Sequence, residues 1–484
     1  MNLRVQSEKI VGLSYGLNTN WLKGESVNTL LWGNDKEGLY SSFAGAATRT
    51  KQVVGNVDPF VEYLTSKGSR HSLKGRWQKL DNDNDNDQGN FSDVVYGEYQ
   101  VQQHFDSLGI KNFTATGGLV SIFTSSEANL YSGGSSDGVN KSKNLAAFVQ
   151  LDKKFLDKLN VSLGVRYEYF DINGDSESRP VFRGGLNYQA ARATFVRASY
   201  GQGYRFPTIA EKHIRTAVGA INIYPNEQLT SESSYNAEIG VKQGIKIGGF
   251  LGFVDAAFFL QEYEDFIEFT FGQWSANPGL DNLFGLGFKS VNTGNSRVTG
   301  MDLSVMGTGK IGVIGLTVLA GYTYTKPISL TPDHIYGRSA ADPTSPWFFP
   351  GFDEVTYQST SSNPDNDILK YRLQHLVRTD VQFDYEAISF GVSVRANSHM
   401  QNIDGIFEDL DNPDIDPTIP LGTLSWREAH TTGDTIIDTR LSYQVNETHK
   451  IALVVNNLLN REYAIRPLAI EGPRKTTLQY TLTF

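Results

Sequence analysis

Apolar and polar residues alternate one for one along much of this chain. Val161, Leu163, Val165, Tyr167 and Tyr169 hold one parity of their segment. Ser162, Gly164, Arg166, Glu168 and Phe170 hold the other. Ile314, Leu316, Val318, Ala320, Tyr322 and Tyr324 repeat the pattern, and so do Thr476, Leu478, Tyr480, Leu482 and Phe484 against Thr477, Gln479, Thr481 and Thr483. A period of two puts each set on its own face of a β-strand. In a soluble sandwich the apolar face would be the core. In an outer-membrane barrel it would meet lipid, with the polar face lining the lumen. The pattern alone fits both.

Length favours the barrel. These segments run ten or more residues, against about five or six in ordinary soluble sheets and about 9–11 in a membrane strand. The same rhythm predicts about 20 strands. They fall near 7–17, 26–33, 38–45, 57–65, 69–80, 92–106, 111–123, 143–154, 159–172, 180–190 and 192–200, and again near 233–245, 250–268, 297–309, 311–326, 373–385, 387–399, 434–445, 448–457 and 475–484. The connections are of two kinds. Stretches such as 155–158, 190–191, 309–310 and 445–448 are short; 81–91, 124–142, 201–232, 269–296, 327–372, 400–433 and 458–474 are long. Antiparallel neighbours place alternate connections at opposite ends, so the long loops gather at one end and the short turns at the other. Outer-membrane barrels have this asymmetry, with short periplasmic turns and longer external loops. The fold class expected is therefore all-β: one large antiparallel transmembrane barrel over 1–484. A last strand ending on Phe484 fits that class. No 40–50-residue blade motif of a propeller recurs.

Composition narrows the chemistry. The chain has no cysteine, which excludes disulfides, thiolate catalysis and cysteine zinc sites. Its net charge of −10 argues against nucleic acid as a partner. No run reaches the ~18 apolar residues of a transmembrane helix. Met1–Ile10 lacks the apolar core of a signal peptide. Phosphate-loop, nucleophile-elbow and His-Glu-x-x-His motifs are missing. Glu262 and Glu264 share a strand face, but no catalytic constellation surrounds them, so neither an enzyme nor a bound cofactor is expected. Acidic runs occur at 81–87 and at Asp404, Glu408, Asp409, Asp411, Asp414 and Asp416. They read as solvated loops or, more sharply, as Ca²⁺ ligands, although the spacing is not that of an EF-hand.

Several motifs carry a resemblance. Gly201-Gln-Gly-Tyr-Arg-Phe-Pro207 is followed by Glu211. Next come Tyr224-Pro-Asn-Glu-Gln-Leu-Thr-Ser-Glu232, Glu238-Ile-Gly240, Asn292 to Asn295 with Gly300, and Asn457-Leu-Leu-Asn-Arg-Glu-Tyr463. Gly472-Pro-Arg474 leads into the last strand. In this order they resemble the TonB-dependent outer-membrane receptors, in the second half by motif and in the first half by strand rhythm. The resemblance implies a barrel of about 22 strands around a plug, set in outer-membrane lipid. It also implies uptake of a scarce small molecule or metal chelate such as a ferric siderophore, haem or cobalamin. Energy would arrive from the TonB complex through the plug, and the receptor would be a monomer. No plug or TonB-binding segment is legible in 1–484, so the expectation is a barrel without them. The other reading is a passive pore or a structural barrel remnant. Tyr204, Arg205, Phe206 and Pro207 would either touch ligand or fix the loop to the rim, with Arg205 pairing a lumenal carboxylate. His213 sits where haem receptors of this family place an axial iron ligand; the plainer reading is a solvated loop histidine. The other histidines lack metal-ligand spacing.

Overall fold

The computed structural model describes residues 1–29, 31–85, 88–106, 109–132, 138–218, 221–409, 411 and 421–483. The chain begins with β1 (Asn2–Gln6), β2 (Leu13–Thr29), β3 (Ala47–Leu64), β4 (Ser69–Asn84) and β5 (Asn90–His104). Next are β6 (Phe113–Ala128), β7 (Val139–Phe155), β8 (Leu159–Ile172), β9 (Asp175–Ala191) and β10 (Thr194–Arg205). A short helix α1 (Ile209–His213) precedes β11 (Thr216–Val218), β12 (Ile221–Tyr224), β13 (Glu232–Ile247), β14 (Phe250–Glu264), β15 (Ile267–Gln273) and β16 (Leu286–Asn292). The remainder is β17 (Ser296–Ile311), β18 (Ile314–Ser329), β19 (His375–Tyr385), β20 (Ile388–Asn397), β21 (Asp434–Gln444), β22 (His449–Asn456) and β23 (Lys475–Leu482).

Nineteen of these strands form one antiparallel sheet, the barrel wall. Each pairs with its sequence neighbour, with β10 next to β13 and β14 next to β17. The register carries the apolar parity from strand to strand. Leu478 lies opposite Leu453, Leu453 opposite Leu441, Leu441 opposite Phe390, Phe390 opposite Phe383 and Phe383 opposite Leu316. A one-residue slip anywhere would turn this band inward. Leu478, Tyr480 and Leu482 lie on the outer face as expected and are exposed. Phe484 lies outside the described residues. The opposite face carries ion pairs: Arg197 with Glu238 at 2.7 Å and Asp255 at 2.8 Å, Arg76 with Asp58 at 2.7 Å, and Arg440 with Asp380 at 2.7 Å. These pairs are partly solvated, so each is worth about 1 kcal/mol at most. They position side chains across strands more than they hold the wall together.

Glycine completes the pattern where a neighbouring ring needs space. Gly300 of β17 lies opposite Phe259 of β14. A Cβ on it would come within 2.5 Å of that ring and 2.2 Å of the Tyr324 carbonyl oxygen. Gly300 thus lets the aromatic lie across the strand.

The two loop classes separate by end. β3–β4, β7–β8, β9–β10, β13–β14, β17–β18 and β19–β20 are joined by at most four residues. The mouth, at the other end, holds the long loops and one tight hairpin, Asn173-Gly174 between β8 and β9. Both residues have positive φ, 54° and 94°. That is the turn whose twist matches a two-residue hairpin. β1 and β23 are the edge strands, and among the described residues no ladder joins them. Both run from the mouth towards the turn end, so a direct pairing between them would be parallel.

Three expectations are corrected. Among the described residues no separate strand forms at 26–33 or 38–45: β2 runs on to Thr29, and Leu31, Trp32, Leu39 and Ala46 turn into a hydrophobic core at the mouth. Those residues are apolar because the mouth buries them, not because lipid meets them. The strand expected at 250–268 breaks after Glu264. The loops expected at 201–232 and 269–296 supply β11, β12, β15 and β16, which form a separate four-stranded sheet. Among the described residues no helix is long and apolar enough to cross a membrane.

Leu441→Arg, on the outer face, is expected to cost about 2–4 kcal/mol if it lies near the bilayer midplane, whereas Ser442→Arg on the lumen face costs far less. Reversible denaturant unfolding in lipid vesicles measures both. Equal costs would show the wrong parity for the outer face.

Candidate functional site

The long loops build a roofed mouth. Its core gathers Trp32 and Leu39 from the β2–β3 loop, Ile403, Phe407 and Leu421 from the β20–β21 loop and Leu468 from the β22–β23 loop. The Trp32 indole donates to the Leu421 carbonyl at 2.7 Å, and its ring packs edge-on against Trp426. Buried indoles settle where the N–H finds such an acceptor.

The motif residues fasten these loops. Arg205 at the end of β10 donates to Glu211 of α1 at 2.7 Å and reaches Glu232 at 3.4 Å. Glu232 also accepts from the backbone of Ile267 at 2.9 Å. The Thr208 side chain and Glu211 cap α1 reciprocally. Asn292 accepts from the Thr230 backbone at 3.1 Å and donates to the Asp265 carbonyl at 2.8 Å. Asn457, with φ 49°, exchanges two 2.8 Å bonds with the backbone of Arg461. Short polar side chains that tolerate positive φ and bond the nearby backbone suit such corners.

The four residues singled out from sequence all sit in this fastening layer. Tyr204 donates to Glu177 at 2.9 Å, and Arg179 lies over its ring. Phe206 is buried with Ile172 and Ile209 and stacks on Phe170 at 5.8 Å. His213 is 6 % exposed, so it is not a solvated loop side chain. Its Nε2 is 3.4 Å from Asn173, and its Nδ1, 3.8 Å from Glu227, has no hydrogen-bond partner. Burial lowers its pKa from the ordinary imidazole value. Among the described residues no three His, Asp or Glu side chains converge on a point.

Three side chains of the acidic loop, Asp404, Glu408 and Asp411, have partners within the protein. Asp404 is fully buried and pairs with Lys370 at 2.6 Å. Glu408 pairs with Arg427 at 2.7 Å. Asp411 accepts from the backbone of Gly422 at 2.7 Å and of Leu424 at 2.6 Å. At the other acidic run Asp81 and Asp83 lie on β4 and Asp85 accepts from the backbone of Arg49. Asp87, Asp414 and Asp416 lie outside the described residues.

Four loops border a half-open cavity of about 600 Å³. Glu268 and Phe269 of β15, Phe288 of β16, Lys370 to Arg372 of the β18–β19 loop, Phe407, and Arg466 with Pro467 line it. Lys370 is 2 % exposed and also donates to Thr360 at 3.1 Å. The Tyr371 hydroxyl donates to Asp404. The Lys370 pKa is raised: burial opposes the charge most strongly, but Asp404, Tyr336 and Glu268 together outweigh it. Burial pushes the Tyr371 hydroxyl up, and Asp404 adds to that. Burial also raises the Glu268 pKa, against the pull of Lys370 and Arg372. A perturbed carboxyl in a cleft with an unusual charge set makes this cavity the candidate binding site. Sequence alone does not point to it: its residues are scattered over more than 190 positions, and no motif joins them.

Asp404→Asn leaves Lys370 charged and buried without its counter-ion. A loss of about 3–5 kcal/mol in the stability of the mouth is expected, measured by protease resistance of the loops under denaturant. Replacing both partners with Lys370→Met and Asp404→Leu should recover much of it.

Comparison with known proteins agrees with this geometry. No curated protein matches the chain. Among solved structures, the FrpB iron transporter from Neisseria meningitidis aligns with TM-score 0.65 and 12 % identity, over 98 % of this chain and 70 % of its own. The ferric-catecholate import receptor Fiu from K12 E. coli aligns with TM-score 0.66 and 14 % identity, over 98 % and 72 %. The hemophore receptor HasR of Serratia marcescens, solved with its hemophore HasA and heme, aligns with TM-score 0.59 and 14 % identity, over 98 % and 71 %. At these identities the likeness is one of fold. The family model described as TonB dependent receptor-like, beta-barrel matches residues 5–458, and the chain belongs to that family.

Proposed function

We propose that this chain forms the wall and the ligand-gathering mouth of an outer-membrane receptor that takes up a small molecule or metal chelate. The cavity of about 600 Å³ carries this reading, because four different loops converge to build it at the mouth. A passive pore would need no such charged, half-open pocket built from separate loops. The structural neighbours handle iron, a ferric catecholate and heme by their own descriptions, which supports a chelate as cargo. Ligand contact belongs to the cavity residues. Tyr204, Arg205, Phe206 and His213 brace the loops around them, since each already has protein partners. Uptake would draw on TonB through a plug within the barrel, as the family membership implies.

Deleting the coding gene in its native bacterium tests this. Cells grown under limitation for iron, copper, haem and cobalamin in turn would be assayed for uptake of each. Loss of uptake for one of them is expected, restored by the gene and abolished equally by removing TonB. The protein should fractionate with the outer membrane. Unchanged uptake of every probe, or TonB-independent leakage of all of them, would contradict the proposal.

A further inference from the structure

We propose that the mouth cavity selects an anionic ligand with a flat apolar body, held by Arg372 and Arg466 against Phe269 and Phe288. This rests on the receptor reading and names the chemical class of what the site takes.

The charges in the cavity are unevenly matched. Lys370 is spoken for by Asp404. Among the described residues no carboxylate pairs with Arg372 or Arg466: Arg372 makes only 3.5 Å contacts to the carbonyls of Lys370 and Tyr371. Both arginines line the cavity. A guanidinium offers a fork of donors that fits two oxygens of a carboxylate, sulfonate or similar anion. Glu268 is the one acidic residue in the lining. Burial raises its pKa, against the pull of Lys370 and Arg372. With Lys370 paired to Asp404, two arginines face one carboxyl in the lining, so cationic groups outnumber acidic ones there.

The walls select shape. Phe269 and Phe288 are nearly parallel, 9° apart with centroids at 4.9 Å, and Phe407 lies 5.9 Å beyond Phe288. Ring faces alone would also attract a cation. The two guanidiniums lining the same cavity, with no carboxylate partner among the described residues, reverse that preference. A volume near 600 Å³ lies within the usual range for small-molecule sites.

The full chain in lipid nanodiscs would be titrated by calorimetry with two rigid probes of like shape: naphthalene-2,6-disulfonate and naphthalene-2,6-bis(trimethylammonium). The dianion is expected to bind and the dication not. The double variant Arg372→Gln/Arg466→Gln should weaken the dianion by about tenfold or more. Phe288→Leu should weaken it too, whereas Arg338→Gln, which alters a pair with Glu354 away from the lining, should leave it unchanged. Both cavity arginines are exposed, and an unchanged melting temperature confirms that the double variant folds. Equal or tighter binding of the dication, no binding of either probe, or a dianion affinity untouched in the double variant would each overturn the inference. A dication held in a Phe288-dependent way would overturn the charge preference while leaving the cavity as the binding site. Uptake in the deletion strain reports on the receptor reading separately.

Discussion

Every backbone N–H and C=O that crosses a lipid layer needs a partner within the protein, because the hydrocarbon offers none. The long antiparallel ladders of this chain follow from that requirement. β2 and β3 share seventeen paired positions, and β17 and β18 share sixteen. Once the backbone is satisfied between strands, the side chains sort by face. The apolar parity turns outward and the charged parity turns to the lumen, the reverse of a soluble sheet. The wall needs no packed interior, and its largest apolar residues are exposed, as Leu163, Phe258 and Leu478 are.

Hydrophobic burial is concentrated instead at the mouth. Trp32, Ile403 and Leu468 are almost fully enclosed there by loops that come from distant parts of the chain. Polar groups tie that core to the barrel rim: Arg205 with Glu211 and Glu232, Asn292 with Thr230 and Asp265, and Lys370 with Asp404. A buried pair such as the last adds little net stability over an apolar substitute, but it penalises any arrangement that separates the partners. Loops fastened in this way can hold a cavity whose charges are not all internally matched.

The wall was legible because its signal is repetitive. Parity recurs in Val161 to Tyr169 and in Ile314 to Tyr324, and the turns between strands are short. The early segments misled because Leu31 to Ala46 are apolar for a different reason, burial in the mouth. The motifs were legible as a set, and the structure shows what they do: Arg205, Glu232 and Asn292 each bond backbone or charge in another part of the fold, and Asn457 closes its own loop corner on Arg461. The cavity was not legible. Glu268, Arg372 and Arg466 are ordinary residues in three separate loops, and only the folded mouth brings them together. His213 attracted notice for its place between motifs, yet its meaning depends on neighbours, Asn173 and Glu227, that spacing cannot reveal.

The chain has no cysteine, so single cysteines can be placed along one strand without interference. The most direct measurement is a scan of β19 from Val377 to Phe383 in lipid vesicles, with a spin label at each position and accessibility read to oxygen in lipid and to a water-soluble nickel chelate. Val377, Thr379, Val381 and Phe383 should report lipid, and Arg378, Asp380 and Gln382 should report water, in strict alternation. A helical period, uniform water exposure, or the opposite parity would contradict the account.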